Sequence, residues 1–221
     1  MTDAPRSPLE MLEVLGVQEI EIAPGFRHVE MYTMRGLLTL LWHGPKDAVS
    51  VVVTGGGGMG GLLGPAEGLY HDLGIALADQ GIATIRVGYR KPNDLDRCVH
   101  DLAAAADLAS RSGARQFVTV GHSFGGAVAI QAGIVLAGHC RGVVTLATQS
   151  AGCEYASDLQ APLLLLHGLN DEILPPETSG IVQMIAGQGE IVMLPDTGHL
   201  LSEVRDEVRE RLLAWIPERF A

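Results

Sequence analysis

Basic side chains are scarce. The 221 residues hold 15 Lys and Arg against 26 Asp and Glu, a net charge of −11, and only two lysines, Lys46 and Lys91. Nucleic-acid binding needs a basic footprint to displace counterions, so this composition argues against it. Long apolar runs are also missing: none approaches the roughly 18 residues that span a bilayer. The start of the chain, M-T-D-A-P-R-S-P, has no charged n-region followed by an apolar h-region, so no secretory signal is expected in it. Cysteine is sparse and odd in number (Cys98, Cys140 and Cys153), with no C-x-x-C pair. That pattern suits buried thiols in a reducing, cytoplasmic setting. Paired ligand spacing of the H-E-x-x-H kind is absent among the eight histidines, so no metal site is expected.

Apolar residues and glycine are plentiful. Hydrophobic residues make up 47% of the chain, and the 28 glycines fall in turn-sized clusters rather than a low-complexity tract. Both features describe a folded chain with a substantial core. Residues 17–43 read as strands: V-Q-E-I-E-I alternates, and M-R-G-L-L-T-L-L-W reads as a hairpin turning at Arg35-Gly36. Beyond Ala48, short runs apolar on both faces take over, at Val49–Thr54, Ile82–Val87, Phe117–Val120, Gly142–Ala147, Pro162–Leu166 and Glu190–Leu194. Such strands belong to a sheet covered on both sides. Helical periodicity fills Pro65–Gln80, Leu95–Ser110, Phe124–Ala137 and Glu203–Ile216. Phe124–Ala137 is apolar nearly all round, which predicts a buried helix. The alternation predicts one three-layer α/β domain over residues 1–221, with a mainly parallel sheet and antiparallel strands at its start.

Two glycine clusters follow apolar strands. The first is V-V-V-T-G-G-G-G-M-G-G over residues 51–61, in which Gly55, Gly57 and Gly60 satisfy G-x-G-x-x-G. A dinucleotide site, however, wants a carboxylate at the end of the next strand. That strand ends in Tyr89 and Arg90, and Arg90 keeps the reading open only as a partner for a 2′-phosphate. No Lys-Ser/Thr follows the glycines, which excludes a P-loop.

The second cluster is G-H-S-F-G-G over residues 121–126, a match to G-x-S-x-G. A strand that reverses into a helix within a few residues strains the backbone at Ser123 and lifts its hydroxyl to a helix N-terminus. Ordinary helix capping is the competing role for that serine. A serine nucleophile needs a base, and the base needs an orienting carboxylate. His199 lies in the loop L-P-D-T-G-H-L after the last strand. Asp171 lies in H-G-L-N-D-E after the penultimate strand, with Glu172 as its nearest competitor and Asp158 and Asp196 as distant ones. All three residues fall at C-terminal strand ends, where open α/β sheets bind ligands.

G-H-S-F-G-G, H-G-L-N-D and the T-G-H loop, in this order and each after a strand, resemble those of the α/β-hydrolases. The compact form resembles the dienelactone hydrolase-like branch. The resemblance covers nearly the whole chain, with one departure: dienelactone hydrolases proper carry cysteine where this chain has Ser123. It implies a serine carboxylesterase-like hydrolase with Ser123 as nucleophile, Asp171 as acid and His199 as base, acting on a small-molecule ester without a cofactor. It also implies an oxyanion hole made by the amide of Phe124 and one from the glycine run, with Gly56 and Gly57 as candidates and Gly58 and Met59 close behind. Met59, Leu62 and Leu63 are candidate substrate-binding residues, with loop anchoring as the equal alternative. His122 and His167 are expected to pack beside the elbow and the Asp171 loop. Residues 148–161 are too few for a helical cap, so an open site is expected. Thioesterase, lactonase or peptidase activity with the same residues, or a non-catalytic ligand-binding protein of this fold, are the alternatives.

Overall fold

The computed structural model describes residues 6–221. Met1–Pro5, part of the stretch searched for a secretory signal, lie outside them. Among the described residues, nine strands form one sheet: β1 (Val14–Ala23), β2 (Phe26–Thr33), β3 (Gly36–His43), β4 (Ser50–Gly55), β5 (Ala83–Gly88), β6 (Gln116–His122), β7 (Cys140–Leu146), β8 (Leu163–Gly168) and β9 (Glu190–Leu194). Their order is β1-β2-β3-β5-β4-β6-β7-β8-β9. The pairings from β1 through β3 to β5 are antiparallel and the remainder parallel. The expected parallel sheet with an antiparallel start is therefore present.

Five α-helices of the described residues cover it: α1 (Leu69–Ala78), α2 (Leu95–Ser112), α3 (Phe124–Leu136), α4 (Glu177–Ala186) and α5 (Arg205–Glu218). Alternation along β4 shows how the sheet serves two cores. Val51 and Val53 pack with α2 and α3 residues such as Leu102 and Val128. Val52 points the other way, into a cluster with Leu73 of α1 and Leu212 of α5. Successive side chains of a strand alternate faces, so three adjacent valines feed both layers. Helix α3 is buried along most of its length, as its all-round apolarity predicts.

Three local expectations shift. The β2–β3 turn sits at Met34-Arg35 rather than Arg35-Gly36, because Gly36 already pairs with Thr33. The Thr33 hydroxyl closes that turn, accepting from the Arg35 N–H at 3.0 Å and donating to the Gly36 carbonyl at 2.6 Å. The alternation in β1 does not mark a buried face: this is an edge strand, with Val17, Ile20 and Ile22 exposed. Helix α4 is the third difference. Its sequence, E-T-S-G-I-V-Q-M-I-A, mixes glycine and β-branched residues, and only Ser179, Val182 and Ala186 are buried, so no strong periodicity marks it.

Arg90 does not face a phosphate. Its guanidinium pairs with Asp101 of α2, the two side chains 4% and 0% exposed, and its backbone N–H donates to the same carboxylate at 2.9 Å. This pairing removes the basic group on which a dinucleotide reading of the glycine run depended. Removing one partner of a buried pair strands the other charge, at a cost of about 3–5 kcal/mol. Asp101→Leu is expected to lower unfolding stability by that amount in urea denaturation; a loss below about 1 kcal/mol would show that the pair is not desolvated in solution.

Candidate active site

The site is assembled where β4, β6, β8 and β9 end. Strand β6 runs to His122, and α3 begins at Phe124, so one residue makes the turn. That residue, Ser123, has φ +58° and ψ −121°, a sparsely populated conformation that costs about 1–3 kcal/mol. Two backbone bonds hold it: the Ser123 N–H donates to the Leu146 carbonyl of β7 (2.8 Å), and its own carbonyl accepts from the Gly126 N–H (3.0 Å). The turn also requires missing side chains. A Cβ at Gly121 would lie 1.8 Å from the Gly125 carbonyl oxygen, and one at Gly125 would lie 2.3 Å from the carbonyl oxygen of Gly56. The Ser123 hydroxyl makes no capping bond to the helix, so ordinary N-capping is not its role.

His199 and Asp171 meet. The Nδ1 of His199 lies 2.7 Å from Oδ2 of Asp171, whose side chain is fully buried. A carboxylate oxygen can only accept here, so Nδ1 carries a proton, and in the neutral form of the ring Nε2 is the bare nitrogen. Oδ1 of Asp171 accepts the amides of Ile173 and Leu174, both at 2.8 Å. Burial opposes the charge on Asp171, but these amides and the His199 ring outweigh it and hold its pKa below the ordinary carboxylate value. Glu172 points to solvent, which separates it from its neighbour.

Two further histidines frame the pair. His122 places Nε2 3.0 Å from the backbone carbonyl of His199, so Nε2 donates and ties the His199 loop to the elbow. Burial drives the His122 pKa down to about 4, so its ring is neutral. His167 is completely buried, with Nε2 3.1 Å from Oδ2 of Asp171 and Nδ1 2.7 Å from the Ser179 hydroxyl.

The glycine run lies alongside. Two buried tyrosines hold its carbonyls, Tyr70 donating to Gly55 (2.9 Å) and Tyr89 to Gly56 (3.1 Å). In a trans peptide the following N–H points the opposite way, so the amides of Gly56 and Gly57 turn away from these hydroxyls. Gly57 borders Ser123: a Cβ there would lie 3.8 Å from the Ser123 Cβ. A turn closed by the Gly60 N–H on the Gly57 carbonyl (2.8 Å) carries Gly58 and Met59 at its tip.

No protein-family model and no curated protein sequence matches the chain. Solved structures do. A dienelactone hydrolase from Anabaena variabilis superposes with a TM-score of 0.74 at 17% identity, over 91% of this chain and 98% of that one. XC6422 from Xanthomonas campestris, described as an α/β serine hydrolase without a lid, gives 0.72 at 20% identity, over 91% and 97%. Est1E from Butyrivibrio proteoclasticus gives 0.71 at 16% identity, over 93% and 99%.

The chain has the α/β-hydrolase fold.

In this fold, a cleft of about 470 Å³ opens between the glycine run, the Ser123 turn and the His199 loop. Ser123 and His199 both line it, as do Met59, Leu62 and Leu63. Met59 is 96% exposed, so it anchors nothing. Ile173 and Leu200, which residue pattern alone did not single out, complete the apolar wall. Their signal was position: one lies two residues after Asp171, the other directly after His199. Between β7 and β8 the described chain has only a short 3-10 turn, Ala156–Asp158, and no helical cap. Among the described residues no helix is long and apolar enough to cross a membrane. Likewise, no group of three His, Cys, Asp or Glu is placed to hold a metal ion.

The buried neutral histidines give stability a pH dependence. His43, between Phe26 and α1, is likewise lowered by burial to about 4. Between the ordinary imidazole value of about 6.5 and about 4, the unfolded chain binds protons that the folded chain refuses. Stability therefore falls as pH drops through this window, by on the order of 1–3 kcal/mol per group. Urea midpoints measured across that range are expected to decline, and less steeply in His122→Gln; a flat profile would mean that these rings protonate freely in the native state.

Proposed function

We propose that this protein is a serine hydrolase that cleaves small or flexible carboxylic esters through an acyl-enzyme on Ser123. The observation that carries the reading is the strained, uncapped Ser123 lining one cleft with a histidine whose Nδ1 is fixed to a buried carboxylate. His199 Nε2 takes the hydroxyl proton as Oγ attacks the ester carbonyl. Asp171 stays ionised and stabilises the imidazolium. The tetrahedral oxyanion is held by the amide of Phe124 and one from the glycine run, where Gly57 borders Ser123. Each such donor is worth about 10²–10³ in rate. His199 then protonates the departing alcohol, and water releases the acyl group by the reverse steps. No cofactor enters this chemistry.

The shape of the cleft supports this substrate class. Its wall is apolar at Leu62, Leu63, Ile173 and Leu200, and no helical cap closes over it among the described residues. Such a site binds a modest acyl chain by apolar contact while leaving room for a flexible one. The whole chain works as one domain in this reading. Its three cysteines, buried and with thiol pKa values raised to about 11 or 12, suit a reducing compartment such as the cytoplasm.

A series of p-nitrophenyl esters from acetyl to dodecanoyl tests the activity. Turnover is expected on the shorter members, with Ser123→Ala lower in kcat by at least about 10³-fold. Equal rates for the two proteins on every ester would refute the esterase reading. Parallel acyl-CoA, lactone and peptide substrates identify a different leaving group, and failure on all of them points to a ligand-binding protein of this fold.

A further inference from the structure

Asp171 has one oxygen that serves two histidines. Oδ2 accepts from His199 Nδ1–H at 2.7 Å and from His167 Nε2 at 3.1 Å. The tautomer of His167 is forced. Its Nε2 also lies 3.0 Å from the Leu174 carbonyl, so two acceptors face this nitrogen and the proton must sit there. Nδ1 is then the acceptor, and the Ser179 hydroxyl of α4, 2.7 Å away, must donate to it. Burial lowers the His167 pKa and keeps the ring neutral. A chain of donors thus runs from Ser179 through His167 to Asp171, every side chain in it buried.

We propose that His167, fixed by Ser179, is a positioning residue that shares the charge on Oδ2 of Asp171 and so sets how strongly His199 holds a proton. This rests on the serine-hydrolase reading above. The physics is a competition for one oxygen. A second donor on Oδ2 draws charge away from the His199 side of the carboxylate and makes the imidazolium less favourable. It also prevents the carboxylate from rotating off the His199 axis. Without it, Oδ2 turns its full charge on His199, and protonation of the ring becomes easier. The other groups facing His199 do not supply this control. His122 approaches with ring centroids 4.8 Å apart but is neutral, with a pKa near 4. Glu203, ahead of α5, is occupied with the Gly198 N–H at 3.3 Å.

The test is a pair of variants, His167→Phe, which removes the donor to Oδ2, and Ser179→Ala, which leaves His167 in place but removes the hydroxyl that anchors its Nδ1. In both, the acidic limb of kcat/KM against pH is expected to move to higher pH. The expected shift is about one unit for His167→Phe and less for Ser179→Ala, with kcat lowered about tenfold or more and KM little changed. His167→Gln, which keeps an amide donor, is expected to recover part of the shift. A His167 that merely fills space would lower the melting temperature and leave the limb at its wild-type position; that result in folded Ser179→Ala and His167→Phe proteins would overturn the proposal. An NMR titration of nitrogen-15-labelled His199 reads the same shift without substrate. Failure of the wild type to turn over any ester therefore tells against the hydrolase reading, and an unmoved His199 titration tells against the role of His167.

Discussion

Everything at the site depends on how closely two backbones approach. The first turn of α3 is pressed against the end of β4, so that Gly125 faces the carbonyl oxygens of Gly55 and Gly56 with no room for a side chain. That contact forces the reversal after β6 into one residue and puts Ser123 at φ +58°. It also sets the glycine run beside the serine, because the same carbonyls are gripped from behind by Tyr70 and Tyr89. Two strands, a helix and two tyrosines thus determine where one hydroxyl stands. The strain of about 1–3 kcal/mol is offset by the surrounding core, which buries residues on both faces of β4.

Electrostatics around Asp171 follow a similar economy. Its two oxygens take four donors, two from the backbone and two from histidines. A buried carboxylate without such partners would protonate instead. Full satisfaction keeps it charged while it is sheltered from water, which is the condition for orienting a base. The neutral histidines nearby avoid adding positive charge to the same small volume.

Much of this was legible from residue order alone. Doubly apolar strands, the G-H-S-F-G-G turn and two loops after later strands each carry a local signal, and the sheet brings their residues to one end. The exclusion of Arg90 from phosphate binding was not legible, because it depends on Asp101, eleven residues on and on another element. The same holds for the tyrosine grips on Gly55 and Gly56, which span 15 and 33 residues. Helix α4 stayed hidden because a short, glycine-containing segment that buries only three small or branched side chains has no strong period. Yet it supplies Ser179, the hydroxyl that anchors Nδ1 of His167. Sequence pattern reports residues that face a core; it reports poorly on polar groups that meet only after the chain has folded.

The central claim is that the geometry at residue 123 makes an activated nucleophile. It is tested most directly by treating the native protein with a fluorophosphonate and mapping the modified residue by peptide mass spectrometry. One adduct per chain on Ser123, absent in Ser123→Ala and formed far more slowly in His199→Ala, is the predicted result. A folded protein that stays unlabelled, or that carries its label elsewhere, would contradict it.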